Sequence, residues 1–231
     1  MALRIVLTND DGIEAPGLAA LHGALEGMGE RIVVAPSLER SGASHTVTTD
    51  DPLSIRAVRP GWTAVGGTPV DCARVALRGL VERADWLLSG INRGANVGAD
   101  VFISGTVGAA REAAFLDVPA IAVSQYTRVG IPLDWDWTRR QCARVLRELL
   151  DRRPARRAFW SVNLPHLPPG APDPEVVFCP LDLSPHDVRF SMEPAHARWV
   201  GDYHGRPREQ GSDVDVCFGG RIAVTEVRLL P

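Results

Sequence analysis

Lysine is absent: all 25 basic residues of the 231-residue chain are arginines. That excludes a Schiff-base lysine, a pyridoxal-phosphate anchor, a P-loop lysine and a protein-kinase lysine. Cysteine is scarce, and Cys72, Cys142, Cys179 and Cys217 show no C-x-x-C spacing. Neither a zinc knuckle nor a redox pair is therefore expected, and buried free thiols are. No apolar run reaches the length of a membrane span. The first residues, Met1 onward, show neither a basic region nor a small-residue cleavage site, so the expectation is a cytoplasmic protein without a membrane partner. A net charge of −3 leaves no electrostatic footprint for a polynucleotide, so no nucleic-acid partner is expected.

What is present is the composition of an ordinary globular protein, 45% apolar and 23% charged. From Leu3 to about Val123, short β-branched runs alternate with helical stretches. Residues 4–8, 31–36, 85–90 and 119–124 read as strands, and residues 16–27, 69–80 and 104–116 as helices. Thr68 stands as an N-cap before Pro69 at the first helical position. This rhythm predicts a doubly wound, Rossmann-like α/β fold with a mostly parallel sheet.

Residues 46–66 break the rhythm with two extended runs around Pro60-Gly61, read as a hairpin beside the sheet. A helix from Trp137 to Arg152 closes the first part. After Arg157 come another strand, a proline-crowded loop, then short strands and polar turns with no helical period of useful length. The expected organisation is a Rossmann-like catalytic core over 1–157 and a β-rich C-terminal region over 158–231, used in oligomerisation and in completing the pocket.

Ligands of open α/β sheets bind beyond the carboxyl ends of the strands. Three such segments are unusually polar. In Thr8-Asn9-Asp10-Asp11-Gly12, two adjacent carboxylates repel unless a cation or hydrogen-bond donors compensate, and a hard divalent cation is the natural compensator. A solvated turn with a helix cap is the other reading of the same residues. Ser37 to His45 supplies small hydroxyls, among them Ser41, in a loop. Ser89 to Thr106 combines Asn92, Arg93, Asn96 and three glycines with Ser104-Gly105-Thr106 at a helix start. There, free N–H groups make an anion site, or the hydroxyls simply cap the helix. A cation, an anion cradle and no evident covalent nucleophile suit attack of water on a phosphate ester.

Read jointly, these segments resemble the SurE family of survival-protein nucleotidases. LTNDDGIEAPG (7–17), APSLERSGASHTVT (35–48), GGTPVDCARVAL (66–77) and SGINRGANVGADVFISGTVGAA (89–110) are similar to its successive motifs, and Asn163-Leu164-Pro165 to a later N-x-P element. The resemblance implies an α/β/α sandwich that hydrolyses nucleoside 5′-monophosphates, with 3′-monophosphates and short polyphosphate as further substrates. It implies Mg²⁺ or Mn²⁺ held by Asp10, Asp11, Ser41 and Asn92, with Asp10, Asp11 and Asn9 as the catalytic group. Asn96, Ser104, Gly105 and Thr106 then line the phosphate pocket together with Asn9. A homodimer or homotetramer with exchanged C-terminal elements is also implied. Ser37 and Ala99 depart from the family's usual acids, and neither is an expected ligand. His45 falls near the site, where a structural hydrogen-bonding role is the more ordinary one.

Three rivals follow from the same residues. Direct attack by an aspartate to give an acyl phosphate calls for D-x-D and a downstream Lys, and a signalling receiver domain also needs a Lys. The third is a binding module that kept the shell without turnover.

Overall fold

The computed structural model describes residues 2–185 and 188–229. A nine-stranded sheet forms its centre, in the order β3-β4-β2-β1-β5-β6-β7-β11-β8. Its strands are β1 (Arg4–Thr8), β2 (Glu30–Pro36), β3 (Ile55–Arg59), β4 (Trp62–Val65), β5 (Trp86–Arg93), β6 (Ala120–Gln125), β7 (Ala158–Leu164), β8 (Val176–Phe178) and β11 (Ile222–Arg228). Strands β4, β2, β1, β5, β6 and β7 run parallel, while β3 pairs antiparallel with β4 and β11 antiparallel with β7.

Period-two alternation sorts the strand residues onto two helical layers. Ile5 and Leu7 of β1 face α1 (Pro16–Ala24) and α5 (Trp135–Leu149), joining Leu18, Leu21, Val145 and Leu146 in one core. Val6 faces the opposite layer, where Cys72 and Ala73 of α2 (Pro69–Val75) pack with Val107 and Ala110 of α4 (Gly105–Phe115). The fold is thus the expected α/β sandwich on a mostly parallel sheet.

Thr68 caps α2 as the sequence indicates: its side chain accepts from the Asp71 N–H, and the Asp71 carboxylate accepts from the Thr68 N–H. The helix expected to run to residue 80 widens after Val75 into a π-helical stretch, Ala76–Leu80. The hairpin around Pro60-Gly61 forms, yet it is the sheet's own edge: β4 lies parallel to β2 rather than beside the sheet.

Two features of the C-terminal third lie outside the sequence reading. Strand β11 returns to the central sheet and pairs with β7 over Ala158 to Asn163. A short helix, α6 (Asp213–Phe218), precedes it, capped by Ser212. Six residues are too few to show a helical period, which is why pattern reading passes over α6. A separate two-stranded hairpin, β9 (Phe190–Glu193) with β10 (His196–Trp199), stands away from the sheet with every residue exposed.

Candidate active site

The chain runs from β1 to β2 on one side and returns to β5 on the other, so the strand order reverses between β1 and β5. The carboxyl ends of these two strands flank the crevice where open α/β sheets bind ligands. Asp10 follows β1 and Asn92 lies at the end of β5. A cleft of about 690 Å³ opens here, lined by Asp10, Ser41, Asn92, Asn96, Ser104 and Gly105 among others.

Asp10 is only 6% exposed. Its Oδ1 accepts from the Thr106 hydroxyl, at the N-terminus of α4. Burial nonetheless raises its pKa, with the Thr106 hydroxyl opposing the shift. Gly105 lets the helix come this close, since a Cβ there would sit 3.2 Å from the Asp10 Cβ and 3.3 Å from its Oδ2. Asp11 is half-buried and has its pKa pushed up to about 6 by burial and by the neighbouring Asp10 charge, with the Arg93 backbone opposing the shift.

The turn that carries both acids is held from below. Asn9, fully buried, donates to the Gly12 carbonyl at 2.8 Å, and its own Oδ1 has no partner among the described residues. Gly12 adopts φ +97°, a conformation that favours glycine. The Arg40 N–H donates to the Asp10 carbonyl at 2.7 Å, which brings the 37–45 loop and Ser41 to the same crevice. Ser41 is exposed and donates to Glu39 at 2.7 Å. Asn92 spends its amide nitrogen on the Gly94 carbonyl at 2.9 Å, leaving its oxygen as the other donor atom.

Ser104 is the N-cap of α4, its hydroxyl accepting the Val107 N–H at 3.1 Å. Asn96 donates to Ser124 at 2.8 Å, and both of its backbone groups are gripped by Asn163 from β7, at 2.9 and 3.1 Å. Of the nine residues singled out in the sequence, six line the cleft. Asn9 supports the turn and Thr106 the Asp10 carboxylate, while Asp11 adjoins Asp10 on the same turn. His45 lies elsewhere, bonded to the buried Glu112 at 2.9 Å.

The far wall is built by Arg93, from the polar segment already singled out, and by Thr127, Arg128, Val129, Tyr203 and His204, which the sequence reading missed. Tyr203 and His204 belong to the polar C-terminal turns, where no period or motif marks them. Asp213 of α6 was missed as well. Its fully buried carboxylate accepts the N–H groups of Gly98, Asp182 and Val214 at 2.8, 2.8 and 2.9 Å, tying the tail to the loop before α4.

The family profile described as "Survival protein SurE" matches residues 5–181. The chain belongs to the SurE family. A SurE-family relative from Nostoc sp., whose name marks it as a candidate 5′-nucleotidase, is 44% identical over 98% of this chain and 100% of its own length. The "5′-nucleotidase SurE" of Geobacter sulfurreducens is 38% identical over 98% of this chain and 88% of its own. The crystal structure of the SurE protein from Aquifex aeolicus superposes with a TM-score of 0.88 at 30% identity, covering 98% of this chain and 94% of that one. The likeness to SurE proteins therefore extends through the tail, beyond the matched profile. Among the described residues no helix is long and apolar enough to cross a membrane.

The raised Asp11 pKa makes a stability prediction. A carboxyl whose folded pKa lies above its unfolded value of 3.8 costs nothing below that pH and its full penalty above about 6. In metal-free buffer, Asp11→Asn should therefore be more stable than the parent by about 2 kcal/mol above pH 6, allowing for screening at a half-buried site. The difference should vanish below pH 4. Urea unfolding of both proteins across this range checks it, and a pH-independent difference would contradict the assigned cause.

Proposed function

We propose that the chain is a divalent-metal-dependent nucleotidase, releasing phosphate from nucleoside 5′-monophosphates. Secondary substrates are 3′-monophosphates and short polyphosphate. The observation that carries this reading is the Asp10 carboxylate, buried at the β1/β5 switch point beside neutral oxygen donors and the N-terminus of α4. The names of the SurE relatives support the nucleotide as substrate class.

The donor set fits a hard cation. Burial disfavours charge on both Asp10 and Asp11, and the Asp10 charge further disfavours it on Asp11, a cost that a divalent ion offsets. Among the described residues no cluster of three or more His, Cys, Asp or Glu side chains could hold a metal. Two carboxylates with the Ser41 hydroxyl and the Asn92 amide oxygen make instead an all-oxygen set suited to Mg²⁺ or Mn²⁺, with water filling the remaining positions. When bound, the ion supplies positive charge to the phosphoryl oxygens and acidifies water.

The chain's own residues do the rest. Asp10, with Oδ1 committed to Thr106, has Oδ2 available to orient or deprotonate the attacking water. Asn96, Ser104 and Gly105 surround the phosphate at the positive end of the α4 dipole. Asn9 and Gly12 keep the turn in the conformation that presents Asp10. Phosphate release from a panel of nucleoside monophosphates with Mn²⁺, Mg²⁺ or EDTA tests the proposal. Turnover is expected with either metal and loss of turnover with EDTA; no turnover with any metal leaves the binding-module reading.

The chain is further proposed to act as a homodimer or homotetramer. Supporting this are Phe190, Met192, Trp199 and Val200, all exposed on or beside the free β9–β10 hairpin. An apolar patch of that kind is commonly covered by a partner. Light scattering is expected to return a multiple of the 25.0 kDa chain mass, and a monomer at micromolar concentration would refute it.

A further inference from the structure

We infer that His204 is the proton donor to the departing nucleoside oxygen, with Tyr126 as the residue that positions its ring. The inference rests on the nucleotidase reading above. A nucleoside alkoxide is a poor leaving group, and a positioned acid that protonates it contributes about 10²–10⁴-fold in rate. Among the residues lining the cleft, the other ionisable groups are engaged or unsuited. Asp10 faces the metal donors. Asp100 is locked by Arg206 at 3.1 Å and by the Tyr203 hydroxyl at 2.8 Å. Guanidinium groups, which Arg93 and Arg128 supply, are not proton donors of the kind catalysis uses. Imidazole changes charge between pH 5 and 8, as an acid used at neutral pH must.

The ring is held as a catalytic acid requires. Its Nδ1 bonds the Tyr126 hydroxyl at 2.7 Å, and Tyr126 is itself only 4% exposed and stacked on Phe218 at 4.3 Å. Tyr203 meets the imidazole edge-on at 5.5 Å. The Asp202 carboxylate fixes the backbone, accepting the N–H groups of His204 and Gly205 at 3.0 Å each. With Nδ1 committed, Nε2 is the ring nitrogen without a partner among the described residues, on an exposed residue of the cleft wall.

In the protonated ring, Nδ1–H donates to the Tyr126 oxygen and Nε2–H is transferable. As water forms its bond to phosphorus, the P–O bond to the nucleoside breaks and its electron pair stays on the nucleoside oxygen. That oxygen takes the Nε2 proton. The attacking water's proton leaves through Asp10 to solvent, and solvent returns a proton to the imidazole. No oxidant or further reactant is needed.

The test compares adenosine 5′-monophosphate with p-nitrophenyl phosphate, whose phenolate leaves without a proton, on the full chain with Mn²⁺. His204→Gln should lose about 100-fold or more in kcat on the nucleotide and no more than about 5-fold on the aryl ester. The parent's nucleotide kcat should fall on the alkaline side, and that limb should disappear in the variant. Tyr126, Tyr203 and Asp202 surround the ring and Arg208 bonds the His204 carbonyl at 3.3 Å, so the limb must be read as a difference between parent and variant. Tyr126→Phe, which keeps the stack on Phe218, should lose about 5- to 10-fold on the nucleotide only, the smaller loss expected of a positioning partner. A raised KM with unchanged kcat would make His204 a base-contacting wall and overturn the inference. Equal losses on both substrates would reduce it to a structural residue, with the same result. A parent inactive on both substrates with either metal would overturn the nucleotidase reading itself.

Discussion

Replacing Asp10 with Asn is expected to lower kcat on a nucleoside 5′-monophosphate by about 10³-fold or more, the scale of losing a charged group at the reacting centre. Asn keeps the shape of the side chain and an oxygen that can accept from Thr106. What disappears is the negative charge that holds the cation and the basicity that engages water. Because burial disfavours that charge, the variant should fold at least as stably as the parent. Ser41→Ala makes the graded comparison: a neutral donor on an exposed loop should cost only about 10- to 100-fold. Steady-state kinetics with saturating Mn²⁺, alongside thermal unfolding, check both variants. Near-parental activity of Asp10→Asn would end the assignment of the metal centre.

Asp213→Ala is expected to be the most destabilising of the substitutions considered, by about 3–5 kcal/mol. The Asp213 carboxylate is completely buried and receives three backbone N–H groups, from Gly98, Asp182 and Val214. Truncation leaves those donors unsatisfied in a dry site, at about 1–3 kcal/mol for each group that water cannot reach. For a chain of this size the melting temperature should fall by about 10 °C. Activity should fall as well, because the loop released at Gly98 leads directly into Ser104 and Gly105. Denaturant unfolding and nucleotide turnover measured on the same sample test the coupling. Lost stability with full activity would show that the tail does not support the site.

The two predictions fall on opposite sides of what pattern reading can reach. Asp10 was visible because two adjacent carboxylates after an apolar strand are a local anomaly, legible within five residues. The caps at Thr68 and Ser104 were legible for the same reason: a cap is a contact between residues three apart, and the sequence prints both partners side by side. Asp213 offered no such signal. Its importance comes from the Gly98 N–H, 115 positions earlier.

The same division explains the C-terminal third. FWSVNLP (159–165) read as a strand, yet nothing in Ile222–Arg228 states that it must pair antiparallel with that strand and complete the central sheet. Strand partners are chosen by closing long loops and matching buried faces across the whole chain. Tyr203 and His204 reach the cleft only because α6 and β11 return the tail to the sheet. Tyr126 and His204, 78 positions apart, become neighbours by that route.

The sequence by itself determined the local elements: strand β1 with its polar terminus, the α/β rhythm, the caps, and an oxygen-rich donor set in a chain without lysine. Each depends on neighbours two to four residues away, which the chain carries with it. The tertiary structure alone decided that Asp10 and Asn92 meet at one reversal of strand order. It also decided that Thr106 holds the Asp10 carboxylate, and that the tail supplies the opposite wall. Those outcomes depend on which strands pair and which faces are buried, a competition settled over the whole molecule.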